Sequence, residues 1–138
     1  MDHALYPVAI ALSAIGVANS LYFIFAQYGG VSASRGAESG TCKTVLETRY
    51  SGVLGVPNSF FGLLFYALVA VVCLVSWRTG SPSLVPYAFV ASMLALLVSI
   101  YLAHALVYRL RMPCRLCFLS HAINLLLVML FAVIALER

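Results

Sequence analysis

Charge is distributed so unevenly along this 138-residue chain that four stretches carry no Asp, Glu, Lys or Arg at all: residues 4–34, 50–77, 79–108 and 116–136. They hold 31, 28, 30 and 21 residues. A helix crossing the hydrocarbon of a bilayer needs about 20 predominantly apolar residues at a rise of 1.5 Å each. Each stretch therefore has room for one span. Within lipid, every backbone N–H and C=O must be satisfied inside the segment, which leaves the helix as the form such stretches adopt. A soluble domain with a polar shell is excluded by a composition of 64% hydrophobic and 9% charged residues and a mean hydropathy of +1.05. The expected fold is an all-α integral membrane protein, a four-transmembrane-helix bundle. It forms one domain, 1–138, with spans of about 6–27, 59–77, 85–108 and 114–136.

The formal charge of +4 does not point to nucleic acid, because no soluble face and no interleaved basic and aromatic run would present it. The start, Met1-Asp2-His3, lacks the basic n-region of a secretory leader, and no small-x-small cleavage site follows the first apolar stretch. That stretch reads as a permanent span. Asn19, Ser20 and Gln27 within it need polar partners inside a bundle.

Residues 31–58 form the one sizeable polar segment. Within it, Thr41 to Tyr50 has helix-compatible spacing and predicts a short surface helix, packed by Val45 and Leu46 over the mouth of the bundle. Gly55-Val56-Pro57-Asn58 turns the chain into the second span. The short connector from Arg78 to Ser83 makes the second and third spans antiparallel neighbours. Counting Lys and Arg near span ends gives Arg35, Lys43, Arg49, Arg109, Arg111 and Arg115 on the loop side, against Arg78 and Arg138 on the other. The positive-inside rule then puts the long loop in the cytoplasm.

Cys114-Arg115-Leu116-Cys117 is a C-x-x-C directly after Pro113, a placement that suits the first turn of a helix. Unpaired N–H groups and the positive helix end favour a thiolate there, helped by Arg111 and Arg115. Two thiols on one turn can close a local disulfide or pass electrons in sequence. A zinc site would need four ligands, and beyond these two thiols the chain offers only Cys42 and scattered His, so no metal is expected. The thiols can also be read as small apolar packing residues. Cys73, among Val71, Val72 and Leu74 in the second span, is read that way.

Three stretches together carry a resemblance. They are Cys42-Lys-Thr-Val-Leu-Glu-Thr-Arg-Tyr-Ser-Gly-Val-Leu-Gly-Val-Pro-Asn-Ser-Phe-Phe-Gly, then Ser99-Ile-Tyr-Leu-Ala, then Cys114-Arg-Leu-Cys-Phe-Leu-Ser-His-Ala-Ile-Asn. In this order they resemble the vitamin K epoxide reductase (VKOR) family and its microbial homologues, from about Ser34 to the C-terminus.

The resemblance implies a four-helix bundle that holds a quinone, whether ubiquinone, menaquinone or a related type, near the C-x-x-C. Electrons would be exchanged with a thioredoxin-like protein through the loop, which with its short surface helix would cap the quinone pocket. Cys117 looks like the quinone-facing cysteine, and Cys114 like the shuttle that exchanges disulfides with Cys42. The family's further loop cysteine, which precedes Cys42, is missing, with Ser34 or Gly36 at its place. Ser34 is isosteric with cysteine, so this is either a natural loss or a substitution that traps one redox state; if the loss is natural, Cys42 would exchange directly with the partner's thiols, which needs only an accessible thiolate and a disulfide. Thr48 stands where the family often has serine and reads as support for the loop helix.

A quinone among apolar side chains needs hydrogen-bond donors aimed at its carbonyl oxygens. Asn58 and His121 match the family's two such positions, and His121 lies one turn after Cys117 on the same helix face. The plain alternative for His121 is a polar residue packed against Asn124 or a neighbouring helix. His104, between Tyr101 and Tyr108, departs from the aromatic often found at that position, and a hydrogen bond inside the bundle is preferred for it over a proton relay.

The expected function is a membrane thiol oxidoreductase. It would pass electrons from a thioredoxin-like dithiol through Cys42 and the Cys114/Cys117 pair to a quinone, driving disulfide formation. The same groups run backwards would reduce a quinone or its epoxide. A non-enzymatic membrane scaffold or carrier is the rival from another class, opposed by the gathering of Cys42, Cys114, Cys117 and His121 toward one membrane face. Family precedent places that face on the outer, oxidising side, whereas the charge count places it inside; disulfide-rich cytosolic proteins of hyperthermophiles keep an inverted arrangement open.

Overall fold

The computed structural model of the chain describes residues 2–27, 52–53, 56–111 and 115–137. Four long helices dominate: α1 (Asp2–Gln27), α2 (Asn58–Thr79), α3 (Val85–His104) and α4 (Arg115–Leu136). A π-helical segment, Ala105–Leu110, prolongs α3. All four are long and apolar enough to cross a membrane, the shortest crossing segments having 22 residues, or about 33 Å at helical rise. Two strands of two residues each, β1 (Gly52–Val53) and β2 (Val56–Pro57), pair antiparallel in the register Gly52 to Pro57 and Val53 to Val56. This ribbon leads directly into α2. The surface helix expected over Thr41 to Tyr50 lies outside the described residues.

The helices run up and down, with α1 packed most extensively on α2 and α3 on α4, and with α4 also touching α1. The α2–α3 seam is the thinnest of these helix contacts, although the two helices are joined by a short connector. Connector length settles which helices are neighbours and leaves open how closely they pack.

Small residues let α1 approach α2. Ala9, Ser13, Gly16 and Ser20 are all buried and recur at helical spacing, the pattern that brings membrane helices into backbone contact. A Cβ at Gly16 would stand 2.6 Å from atoms of the Tyr66 ring, so that ring lies directly on the glycine. Phe131, Leu127, Ile134 and Cys73 fill the core. Leu64, Leu68, Val71 and Leu97 point outward and are exposed, the inverse of a soluble protein's surface. Cys73 is buried and in no disulfide.

In the π-helical segment Ala105 and Leu106 remain buried. It ends at Arg111 in the left-handed region (φ 50°, ψ 36°), whose N–H bonds the Leu106 carbonyl. His104 corrects a sequence expectation here. It is exposed, and its ring lies against Tyr108 with centroids 4.9 Å apart. At the end of α3 the imidazole faces outward, where an aromatic neighbour on its own helix can cover it and no facing helix can.

Candidate active site

Asn58 is the first residue of α2, delivered there by the β1–β2 ribbon. Cys117 and His121 lie in the first two turns of α4, four residues apart on one face. The fold brings these three together: all line one cavity of about 340 Å³, walled by the four helices and the π-helical segment. Cys42 and Cys114 lie outside the described residues, as do Ser34 and Gly36.

The cavity has two chemical characters. Phe23, Phe61, Phe65, Leu94, Val98 and Leu102 form its apolar walls. Beside the α2–α3 seam, Phe61, Leu94 and Val98 are also exposed at the helix surface. On the other side, Cys117, Ser120, His121 and Asn124 form a stripe along α4, faced by Tyr66 from α2 and Ser99 from α3.

Most of this polar side is committed to holding the helices together. The Tyr66 hydroxyl donates to Asn124 Oδ1 at 2.7 Å and lies 3.2 Å from the Ser120 carbonyl. The Asn124 amide donates to Ser99 Oγ. From α1, Asn19 Nδ2 donates to the Leu116 carbonyl at 3.0 Å and to Ser120 Oγ. Asn19 thereby finds the bundle partner that its membrane depth demands, and the network ties α1, α2 and α3 to the two turns of α4 that carry Cys117 and His121.

His121 stands apart from that network. Asn124 spends its amide on Ser99 and its oxygen on Tyr66, so the packing partner considered for His121 is engaged elsewhere. The imidazole meets Phe118 edge-on at 6.2 Å. Both of its ring nitrogens are buried without a hydrogen-bond partner among the described residues. An orphaned pair of this kind, beside a cysteine in a largely apolar cavity, suits a ligand that brings its own oxygen atoms.

Tyr66, Ser99 and Ser120 have places in the site that sequence reasoning did not assign. Ser120 and Asn124 share the spacing of Cys117 and His121, at one, three and four residues along the same stripe, and that periodicity is the signal that could have found them. Tyr66 carries no such signal in an apolar span.

One comparison bears on this arrangement. The sequence model described as the vitamin K epoxide reductase family matches residues 7–132, a range that takes in α2 and α3 whole and most of α1 and α4.

Proposed function

This chain belongs to the vitamin K epoxide reductase family of membrane redox enzymes, and from that premise we propose that it is a quinone-dependent thiol oxidoreductase that drives disulfide formation. The observation that carries this reading is the convergence of Asn58, Cys117 and His121 on one cavity, with both His121 nitrogens buried and without a hydrogen-bond partner among the described residues.

In this reading a quinone supplies a two-electron acceptor that dissolves in the bilayer. The apolar walls of the cavity would hold its ring. Phe61, Leu94 and Val98, exposed beside the sparsely packed α2–α3 seam, would give an apolar tail a way out into lipid. Asn58 and His121 orient the ring oxygens by hydrogen bonds. Cys117 acts as the thiolate facing the ring, and Cys114 closes the disulfide with it. Two thiols become one disulfide, and the two electrons and two protons released go to the acceptor. Cys42 renews the thiols by exchange with a thioredoxin-like dithiol, each exchange being thiolate attack on a disulfide sulfur. With no cysteine at Ser34 or Gly36, Cys42 meets the partner directly. The charge count favours a redox face turned to the cytoplasm.

The test is oxidation of a reduced thioredoxin-like protein by the purified chain with added quinone, compared with Cys117→Ala. Quinone-dependent oxidation that disappears in the variant is the expected result. Equal rates in the two proteins would remove Cys117 from the chemistry, and a failure of the unaltered chain to bind quinone would return its cysteines to a packing role.

A further inference from the structure

We infer that the outer face of α3 and the corner it leads into form a docking site for an anionic phospholipid. Tyr108, Arg109 and Arg111 hold its phosphate, and the exposed apolar stripe of α3 lies along its acyl chains.

Residues 90, 94, 97, 101, 104 and 108 recur every three or four positions, so they share one face of α3 and its π-helical extension. All six are exposed. Val90, Leu94 and Leu97 make the first half of this stripe apolar, and Tyr101, His104 and Tyr108 make the second half polar. Arg109 and Arg111 follow, both exposed. From His104 to Arg111 the chain rises at most about 10 Å, enough to cross the interfacial layer, which is about 5–8 Å deep on each side of the hydrocarbon. The order apolar, aromatic, cationic along the stripe matches the order of acyl chain, interface and charged headgroup across one leaflet.

Two observations give the charged end its task. The described residues there include Arg109, Arg111 and Arg115 and no Asp or Glu; Asp2 begins α1 and Glu137 follows α4, both at the far end of the bundle. The second is the backbone of Arg111, which holds φ 50° and ψ 36°. Among the described residues it is the one residue other than glycine at positive φ. At the matching turn after α2, Gly80 takes that conformation with φ 66°, as helix ends favour. An exposed arginine in glycine's place costs backbone stability without returning any through packing, and such outliers persist where the side chain has a function. A guanidinium presents five N–H donors in a planar fork that fits phosphate oxygens. The Tyr108 hydroxyl adds a donor at the same level, its ring set by the stack on His104 at 4.9 Å.

A second copy of the chain suits this stripe poorly. Membrane helices meet through small residues, as α1 does here through Ala9, Ser13, Gly16 and Ser20. The α3 stripe carries bulky side chains at every position, and pairing it with itself would bring two sets of arginines together. A lipid fills an uneven surface of this kind with flexible chains and brings the missing negative charge.

The test releases full-length protein from nanodiscs of mixed phosphatidylcholine and phosphatidylglycerol and reads the retained lipids by native mass spectrometry. The two lipids carry the same phosphate, but choline compensates its charge and glycerol does not. The parent is expected to retain phosphatidylglycerol in preference, and Arg109→Gln and Arg111→Gln each to lower that preference roughly fivefold, the share of one arginine near an anionic surface. Arg78→Gln, an exposed arginine at the other end of the bundle, is expected to keep the parent's preference. Arg111→Gly separates the turn from the side chain: it should lose the lipid as Arg111→Gln does, while its thermal midpoint in phosphatidylcholine alone stays level or rises. All four variants change exposed positions, where folding is not at stake. A parent with no preference for phosphatidylglycerol overturns the inference. So does an equal loss in Arg78→Gln, which would assign the effect to diffuse surface charge, and so does an Arg111→Gly variant that retains the lipid normally. A dimeric mass that Leu97→Ala splits into monomers would give the stripe to a second copy and overturn it as well.

Discussion

Tyr66 joins two functions that its sequence neighbourhood hides. Its ring rests on Gly16, and its hydroxyl reaches Asn124 Oδ1 and the Ser120 carbonyl. Removing only the oxygen separates the two. In Tyr66→Phe the ring still covers Gly16, but Asn124 loses its donor at membrane depth. Such a bond in a membrane protein is worth about 0.6–1.7 kcal/mol, and Tyr66→Phe is expected to lose that much in reversible unfolding from mixed micelles. Unchanged stability would mean that Asn124 finds a second donor. That Cys117, Asn58 and His121 line one cavity could be expected in advance, because a four-residue spacing and a motif order are properties of the chain itself. Tyr66 could not. Its partners are 54 and 58 residues away, and only the register between α2 and α4 brings them within reach. Asn19 falls between these cases: its depth announced that a partner was needed, and nothing in the sequence said which.

Between elements, the α1–α2 contact depends on side chains that are absent. The Cβ of Gly16→Ala would meet the Tyr66 ring at 2.6 Å, and that ring is held by its hydroxyl bonds and cannot turn aside. The Cβ of Gly62→Ala would meet Ser20 Oγ at 3.0 Å, and a serine hydroxyl can rotate away. Gly16→Ala is therefore expected to destabilise by about 1–3 kcal/mol, as overpacking does, and Gly62→Ala by less. Thermal unfolding of the two variants side by side checks the order, and the reverse order would show that the Tyr66 ring yields more easily than Ser20. The four helices were legible because an uncharged run of sufficient length has one outcome in lipid. The π-helical turn at Ala105–Leu110 was not, since a change of helical pitch over six residues leaves no mark in an apolar run. Nor was the thinness of the α2–α3 seam. It follows from the cavity between those helices, lined by side chains that would otherwise have closed it.

Taken as a whole, the molecule has one chemically equipped end. Asn58, Cys117 and His121 sit where α2 and α4 begin, at the same end as Arg109, Arg111 and Arg115. Which compartment this end faces decides whether the proposed thiol chemistry runs against a reducing or an oxidising pool. With six Lys and Arg on that side and two on the other, the bias favours the cytoplasm for the redox end and the outside for the C-terminus. A reporter fused after Arg138 is expected to be active only in its extracytoplasmic form, and a cytoplasmic signal would reject the inverted arrangement. The cause can be tested along with the result. Replacing Arg109, Arg111 and Arg115 by Gln leaves three basic residues against two, too small a difference to set direction, so the same reporter should then divide between the two sides. A reporter that keeps a single orientation in that variant would assign topology to the first span and the loop ahead of α2, and not to the arginines around the C-x-x-C.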